Sequence, residues 1–558
     1  MGKIIDTYIN DFSGGISNDP RDPRENVSRM VSNFDILTDK YRLIPYVSSD
    51  SGNADQATSK IKNYCIAKLN STPTYALYGL GISGTGTDRA KIFYKTLSTG
   101  GTYDLDTSAW NVTAAPESSN NNSGLSYECF VYYENQGKIF MVDKANGQIM
   151  VADPDGGDAW VENVQAITVT YGVAQGLVAS DDILYIPYDN KIASKNGSGS
   201  WNLTALTLPA QYRIKAICEY GNYIAIGCEP NSGATPGFGG SRVFLWDKTS
   251  TSWSDVVDWG DERIHVLDEV NGSLVGISIG TGTTRLTQRI IFRYLSVSSA
   301  IKFFEITSAT SGTTLTALSR KLNNRLYYLL EVTIDGVSKN GVWSVGGVPG
   351  AFSVVHERTT NNDSTFTDLE LFGFQLVGDY VFISYADSSV NAMTKSKIST
   401  YTATSIYEKR FNSVNSATWK KFVGAKVMTD TLPAGGQIVL KYKKDGETAF
   451  TTIFTNTTVT AGSFVTGTTY TIISVGSTDF TAIGASANTV GVVFTATGAG
   501  SGTGVAAKDP ISHAANSIES TGATLPDEKE LTLRIESTGG AVVTVLLLRE
   551  DALDKDTF

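Results

Sequence analysis

The chain has 558 residues, of which only 18% are charged and 54 are glycine, a balance that favours short strands and turns over helices. Its net charge of −11 argues against a nucleic-acid-gripping surface, which would be basic. Four cysteines (Cys65, Cys129, Cys218, Cys228) without metal spacing, and three histidines far apart (His265, His356, His513), leave no zinc motif and no disulfide framework. The polar start Met1-Gly-Lys-Ile-Ile-Asp6 is not signal-peptide-like, and the apolar run Ala541 to Leu548 is too short to span a bilayer.

Residues 1–58 read as an N-terminal arm. Phe12-Ser-Gly-Gly-Ile16 is followed by Asn18-Asp-Pro-Arg-Asp-Pro23, where the Gly pair and two prolines bar a regular element. From Asn26 to Asp35 the apolar Val27, Met30, Val31 and Phe34 fall at helical spacing, which predicts a short amphipathic helix. Arg42-Leu-Ile-Pro-Tyr46 reads as a strand entering the next domain.

Residues 59–411 repeat one pattern: two apolar runs around a polar gap, a polar turn, then a tryptophan. Asp106, Asp155, Asn196 and Asp247 open turns that lead to Trp110, Trp160, Trp201 and Trp253, which lie 41 to 52 residues apart, and a weaker copy runs from Asn340 to Trp343. A period of about 40 to 50 residues with four short strands marks a β-propeller. Gly221-Asn222, Asn271-Gly272, Asn323-Asn324 and Gly378-Asp379 recur as hairpin turns at matching places. The count is about seven blades. In the first, Tyr75 to Gly81 and Lys91 to Tyr94 read as inner strands; in the seventh, Lys397-Ile-Ser399 closes the set. Each tryptophan is expected to press on the neighbouring blade, because a blade cannot bury both faces alone.

Beyond residue 411 the pattern changes. Residues 412–461 and 506–558 read as the two parts of an antiparallel β-sandwich. Phe422 to Val427 returns as Ile438 to Tyr442, Asp445-Gly446 turns a hairpin before Phe450 to Phe454, and Glu530 to Ile535 pairs as a hairpin with Val542 to Leu548. Between them, residues 462–505 are almost uncharged and rich in Gly, Thr, Ala and Val, with Tyr470-Thr-Ile-Ile473, Val492-Val-Phe494 and Gly498-Ala-Gly-Ser-Gly-Thr-Gly504. This is a folded insert whose ends must lie close together.

The arm, with Phe12-Ser-Gly-Gly-Ile16, the Asp-Pro segment and the Arg42-Leu-Ile-Pro45 strand, resembles the opening of phage tail nozzle proteins, also called tail tubular or tail hub proteins. It departs from them where their Arg-Pro-Gly stands here as Arg42-Leu-Ile-Pro45-Tyr46. The insert is similar to a small β module found in many phage structural proteins. The resemblance implies a structural virion protein of a tailed phage, assembled in the host cytoplasm. It implies a hexameric ring in the tail, contacts with an adaptor or portal-proximal protein and tail fibres, and DNA passing without specific binding. The acidic balance suits such a passage.

Chemistry is sparse. Neither a phosphate loop nor a Gly-x-Ser-x-Gly elbow occurs. Asp153-Pro-Asp-Gly-Gly-Asp158 lacks the distant Glu of a calcium loop and reads as a blade-tip turn. Ser194-Lys-Asn-Gly-Ser-Gly-Ser-Trp201 resembles the Asp-box of sialidase propellers, which is a structural hairpin there. The sequence therefore nominates no catalytic, cofactor-binding or metal-binding residue and no cofactor. Tyr133, Glu134 and Trp259 are considered as glycan-platform residues, against ordinary blade packing or rim exposure. Two alternatives to a nozzle remain: a receptor- or glycan-binding tail-tip protein, and a propeller glycosidase.

Overall fold

The computed structural model describes residues 3–552 apart from 13–15, 17–27, 36–43, 51–58, 98–110, 113–124, 155–159, 232–239, 282–287, 309–314, 360–368, 397–403, 413–419, 509–516, 520–526 and some shorter turns. The Trp110 turn, the Asp155 turn, the long loops after Glu229 and Thr359, and Lys397 to Ser399 lie wholly or mostly outside the described residues. Two compact units emerge: Ser49–Phe352 with Ser364–Ser396, and Met1–Ser48 with Ser353–Asp363 and Lys397–Phe558.

The first unit is a seven-bladed β-propeller. Its blades open with the strands Ser59–Leu69, Leu125–Tyr133, Leu177–Val178, Tyr212–Tyr220, Arg263–Val270, Leu315–Leu322 and Leu369–Val377, and each continues as an antiparallel meander. Opening strands of adjacent blades lie against one another, except that Tyr212–Tyr220 of blade 4 meets the second strand of blade 3, Ile183–Tyr188, and the opening strand of blade 1 touches those of blades 2 and 7. The opening strand is therefore the innermost, so Tyr75 to Gly81 and Lys91 to Tyr94 are the second and third strands of blade 1, not its inner ones. The seventh blade takes its outer strand from the other end of the chain: Ser49–Asp50 pairs with Val390–Ser396.

The hairpin signals hold locally. Asn271 and Gly272 adopt φ of 48° and 77° in a two-residue turn between the paired Val270 and Ser273. Both are left-handed, the conformation a right-twisted hairpin needs and the one Asn and Gly tolerate best.

Side-chain alternation explains why the blade strands are nearly continuous apolar runs. Ile139 and Met141 join a core with blade 1 residues Ala76, Tyr78 and Leu80, while the intervening Phe140 and Val142 join one with blade 3 residues Leu184, Ile186 and Tyr188. In blade 4, Ile224 and Ile226 face blade 3, and Ala225 faces blade 5. Both faces of a blade are buried, so the polar positions of a one-sided sheet disappear. The described turn tryptophans Trp201 and Trp253 pack into cores between blades, as expected. Trp201 meets Phe140 of the neighbouring blade edge-on at 5.9 Å, and Trp253 meets Phe244 of its own blade edge-on at 5.3 Å within the core that blades 3 and 4 share. The fully buried tryptophans of blades 4 and 6 are Trp246, Trp259 and Trp343. Trp259 lies over Gly276 of blade 5, where a Cβ would come within 2.6 Å of its ring.

The second unit is a sandwich carrying the insert. One sheet runs Lys3–Ile9, Val543–Ala552, Lys420–Thr429, Ser517–Glu519; the other runs Met30–Ser32, Ser405–Asn412, Glu530–Thr538, Gln437–Lys444, Thr451–Thr460. Two sequence expectations fail here. Glu530 to Ile535 and Val542 to Leu548 do not pair. They belong to different sheets, joined by Gly539 and Gly540 in left-handed conformations (φ of 62° and 81°) that let the chain cross over. Lys420–Thr429 and Gln437–Lys444 divide in the same way. The strands on either side of the expected hairpin turn, Gln437–Lys444 and Thr451–Thr460, do pair; Asp445 itself lies outside the described residues.

The arm is also corrected. The predicted helix is absent: Met30–Ser32 is a strand beside Ser405–Asn412, and Phe34–Asp35 pairs with Ile44–Pro45. Its helical spacing of apolar residues is weak evidence over ten residues, and a waiting sheet edge outbids propensity. Ile44–Pro45 thus belongs to this unit, and the chain enters the propeller just after it, as the outer strand Ser49–Asp50 of blade 7.

The insert extends the second sheet. Thr451–Thr460 pairs with Gln437–Lys444 along its first part and with Val505–Lys508 along its last three residues, so host and insert share one strand. Phe464, Tyr470, Phe480 and Phe494 form a private core with centroids 5.0 to 5.8 Å apart.

Candidate functional site

The inner strands carry a shared irregularity. Strand registers slip by a residue or more between Ile61 and Asn63, Ser126 and Phe130, Ile214 and Ala216, Ile264 and Val266, Leu315 and Ser319, and Leu371 and Gly373. A bulge leaves an unpaired residue and re-aims its side chain, and bulges often stand next to functional sites. In three blades that residue is basic: Lys62, Lys215 and His265. In each case the sequence reads basic, Ile, basic: Lys60-Ile61-Lys62, Arg213-Ile214-Lys215, Arg263-Ile264-His265. The Ile is buried and holds the strand, while the residue after it is only half-buried. This repeated tripeptide was the available signal, and the tryptophan period overshadowed it.

Around His265 the charges are unbalanced. Burial, then the nearby Lys215, Arg263 and Arg213, push its imidazole down to about 4. The carboxylate at hand is Glu229, buried and bonded to Arg213, with Arg263 at 3.8 Å. Lys62 of blade 1 lies 5.8 Å over the ring of Phe372, the bulged residue of blade 7.

Deeper along the inner strands, Arg320 of blade 6 spans to blade 1. Its guanidinium donates to Asn63 Oδ1 and Tyr64 O, both at 2.8 Å, to Gln375 of blade 7 and to Ser319 O. Full burial lowers it to about 10. The Ser319 amide faces Gln175 Oε1, on the approach to blade 3, at 3.5 Å. Protein atoms thus cross the propeller axis at this level.

At the turns between first and second strands, blades are stitched by polar contacts. Glu219 of blade 4 accepts from Ser180 of blade 3 and from Lys248 at 2.8 Å, and Lys248 also pairs with Asp181. Lys321 meets Glu269 at 3.7 Å. Beside them, burial raises Asp268 to about 6. The four cysteines are free and buried, and burial pushes their thiols up, so none is an activated nucleophile.

The glycan-platform candidates do not come together. Tyr133 is buried with its hydroxyl donating to Asp182 O at 2.7 Å, and Trp259 is buried under blade 5. Neither presents a free ring face; exposed Glu134 pairs with Lys68. Among the described residues no three His, Cys, Asp or Glu side chains gather to hold a metal.

No family model matches the chain, and no curated protein matches it. Solved structures do resemble it. The β-propeller domain of Cps50 (Swd1) from Myceliophteria thermophila is 9% identical with a TM-score of 0.36, over 60% of this chain and 96% of that one. The Dos1 propeller is 12% identical, TM-score 0.36, over 63% and 95%. The WD40 domain of Neurospora crassa Pan2 is 12% identical, TM-score 0.34, over 62% and 98%. The likeness is one of fold only.

Proposed function

We propose that the chain is a structural virion protein of a tailed phage, a nozzle subunit that assembles as a hexameric ring around the tail channel and bears neighbouring tail parts. The observation that carries this reading is the arm. Phe12 and Ile16, the two ends of the Phe-Ser-Gly-Gly-Ile segment that resembles the nozzle family, are buried core residues of the second unit. Phe12 stands edge-on to Tyr407 at 5.3 Å, and the Ile16 amide bonds Val354 O at 3.1 Å. A resemblance confined to a loose tail would mean little; this one falls on residues the unit is built upon. Blades interlocked on both faces give the stiffness such a ring requires.

Because Gln175, on the approach to blade 3, reaches Ser319 of blade 6 across the ring, the DNA passage in this reading lies between protomers and not through any one of them. Heterologous contacts that close make rings. Electron microscopy of the purified chain and of the particle tests the reading. A closed sixfold ring on the tail axis is expected; a monomer in solution together with a peripheral position in the particle would overturn it. The second reading, a tail-tip binding protein, is favoured by the insert, whose private core leaves Val465 and Val490 about three-fifths exposed. A peripheral spike in the same images selects it.

A further inference from the structure

The basic bulges are not used by the structural reading, and they define a site of their own. We propose that the axial face of blades 4 and 5 binds a compact, doubly charged oxyanion of the phosphate or sulfate class between Lys215, His265 and Arg263. The inference is independent of the virion reading.

Four observations carry it. Lys215 and His265 occupy the same place in adjacent inner strands, each the extra residue of a bulge and each two positions after an arginine. Neither makes a hydrogen bond or ion pair among the described residues, although both are half-buried. Arg263 is 68% exposed and lies 3.8 Å from Glu229, so its guanidinium keeps donors free for a ligand. Finally, the charges do not cancel. Lys215, Arg213 and Arg263 bear on His265, and the carboxylate among them, Glu229, is bonded to Arg213. On the flanking inner strand of blade 6, Lys321 is matched by Glu269, and Arg320 is turned to blades 1 and 7. Further along the strand of His265, Asp268 and Glu269 belong to the opposite, stitched end.

A half-buried Lys215 without an ion pair among the described residues gains from an anion that fits beside it, and an imidazole, a primary amine and a guanidinium offer donors in several directions to a tetrahedral oxyanion. Burial lowers the His265 imidazole most and repulsion from Lys215, Arg263 and Arg213 lowers it further; the anion would offset that repulsion. Linkage then requires the anion to bind more tightly where His265 is protonated.

The test follows His265 by NMR in the full chain labelled at the histidine Cε1 carbons. There are three histidines, and His265→Gln assigns the signal by its loss. Sulfate is the first probe, because it stays a dianion across the titration; chloride at equal ionic strength is the control. Sulfate should raise the apparent pKa of His265 by about one unit, a roughly tenfold coupling. Lys215→Met should abolish that rise while the melting temperature holds. Arg263→Met, at an exposed position, should weaken it and serves if the first variant does not fold. Inorganic phosphate and adenosine monophosphate form the second arm at neutral pH, read by calorimetry. Binding of both marks a site open to phosphate esters; binding of phosphate alone marks one for the free ion. A His265 titration identical in sulfate and chloride, or a rise that survives both substitutions, would overturn the proposal.

Discussion

In the propeller a strand pairs with its neighbour in sequence; in the sandwich it usually does not. Tyr220 pairs with Tyr223 and Val270 with Ser273 across two-residue turns, whereas Lys3–Ile9 pairs with the strand that ends at Ala552. The difference is between contacts written by turn chemistry and contacts that must close a long loop first. The propeller departs from its own rule in few places, among them its outer strand Ser49–Asp50 and the Arg320 span. The insert is the local extreme: its aromatic core comes entirely from within 464–494.

Four substitutions sharpen that contrast. The largest effect is expected from Phe480→Ala, which empties the centre of the insert's core and should cost about 3–5 kcal/mol. If the insert is locally specified, only the transition reported by its own amides in hydrogen exchange should move; a matching fall in propeller protection would show it is not autonomous. Next, Arg320→Met removes charge-assisted bonds between blades 6, 1 and 7, each worth roughly 1.5–3 kcal/mol. A net loss near 3 kcal/mol in the denaturant midpoint is expected, with little rescue by Arg320→Lys, which cannot reproduce the fork. A loss below about 1 kcal/mol would mean the apolar faces alone hold blade 6 to blade 1.

Third, Asp268→Asn tests the stitched end. Burial raises this carboxyl from its usual 3.8 to about 6, so the folded chain holds the proton more tightly than the unfolded one. That contribution is present below about 4 and lost as pH rises through 6. The variant should therefore gain on the parent at pH 7, by about 1–2 kcal/mol, and show no gain at pH 4; equal stability differences at both values would refute the account. The smallest change is a gain at a purely local site. Val297 holds φ of 52° in a hairpin turn at 98% exposure, a conformation hostile to a β-branched residue. Val297→Asn should stabilise by roughly 1 kcal/mol, read as a rise in melting temperature.

Much of the fold was legible because its signals are local. Asn271-Gly272 makes a tight turn by its own torsions, and a run such as Lys138 to Val142 declares a strand buried on both faces. The candidate site was less legible. Lys215 and His265 lie 50 residues apart, and nothing in either tripeptide says that a register slip will set both at the axis. Tyr133 and Trp259 failed as surface residues for the converse reason: an aromatic beside an acid reads alike at a rim and in a core.

Turn residues, apolar runs and the blade-length period thus determined by themselves that this chain would fold as a propeller followed by a sandwich with an insert, since each depends on torsions and burial within a few residues. Only the tertiary structure decided that Met30–Ser32 would be a strand, that Glu530–Thr538 and Val543–Ala552 would part into two sheets, and that Arg320 would tie blades 6, 7 and 1 together. Those outcomes turn on which edge, face or acceptor remains unsatisfied once distant segments have met, and no short stretch of sequence contains that information.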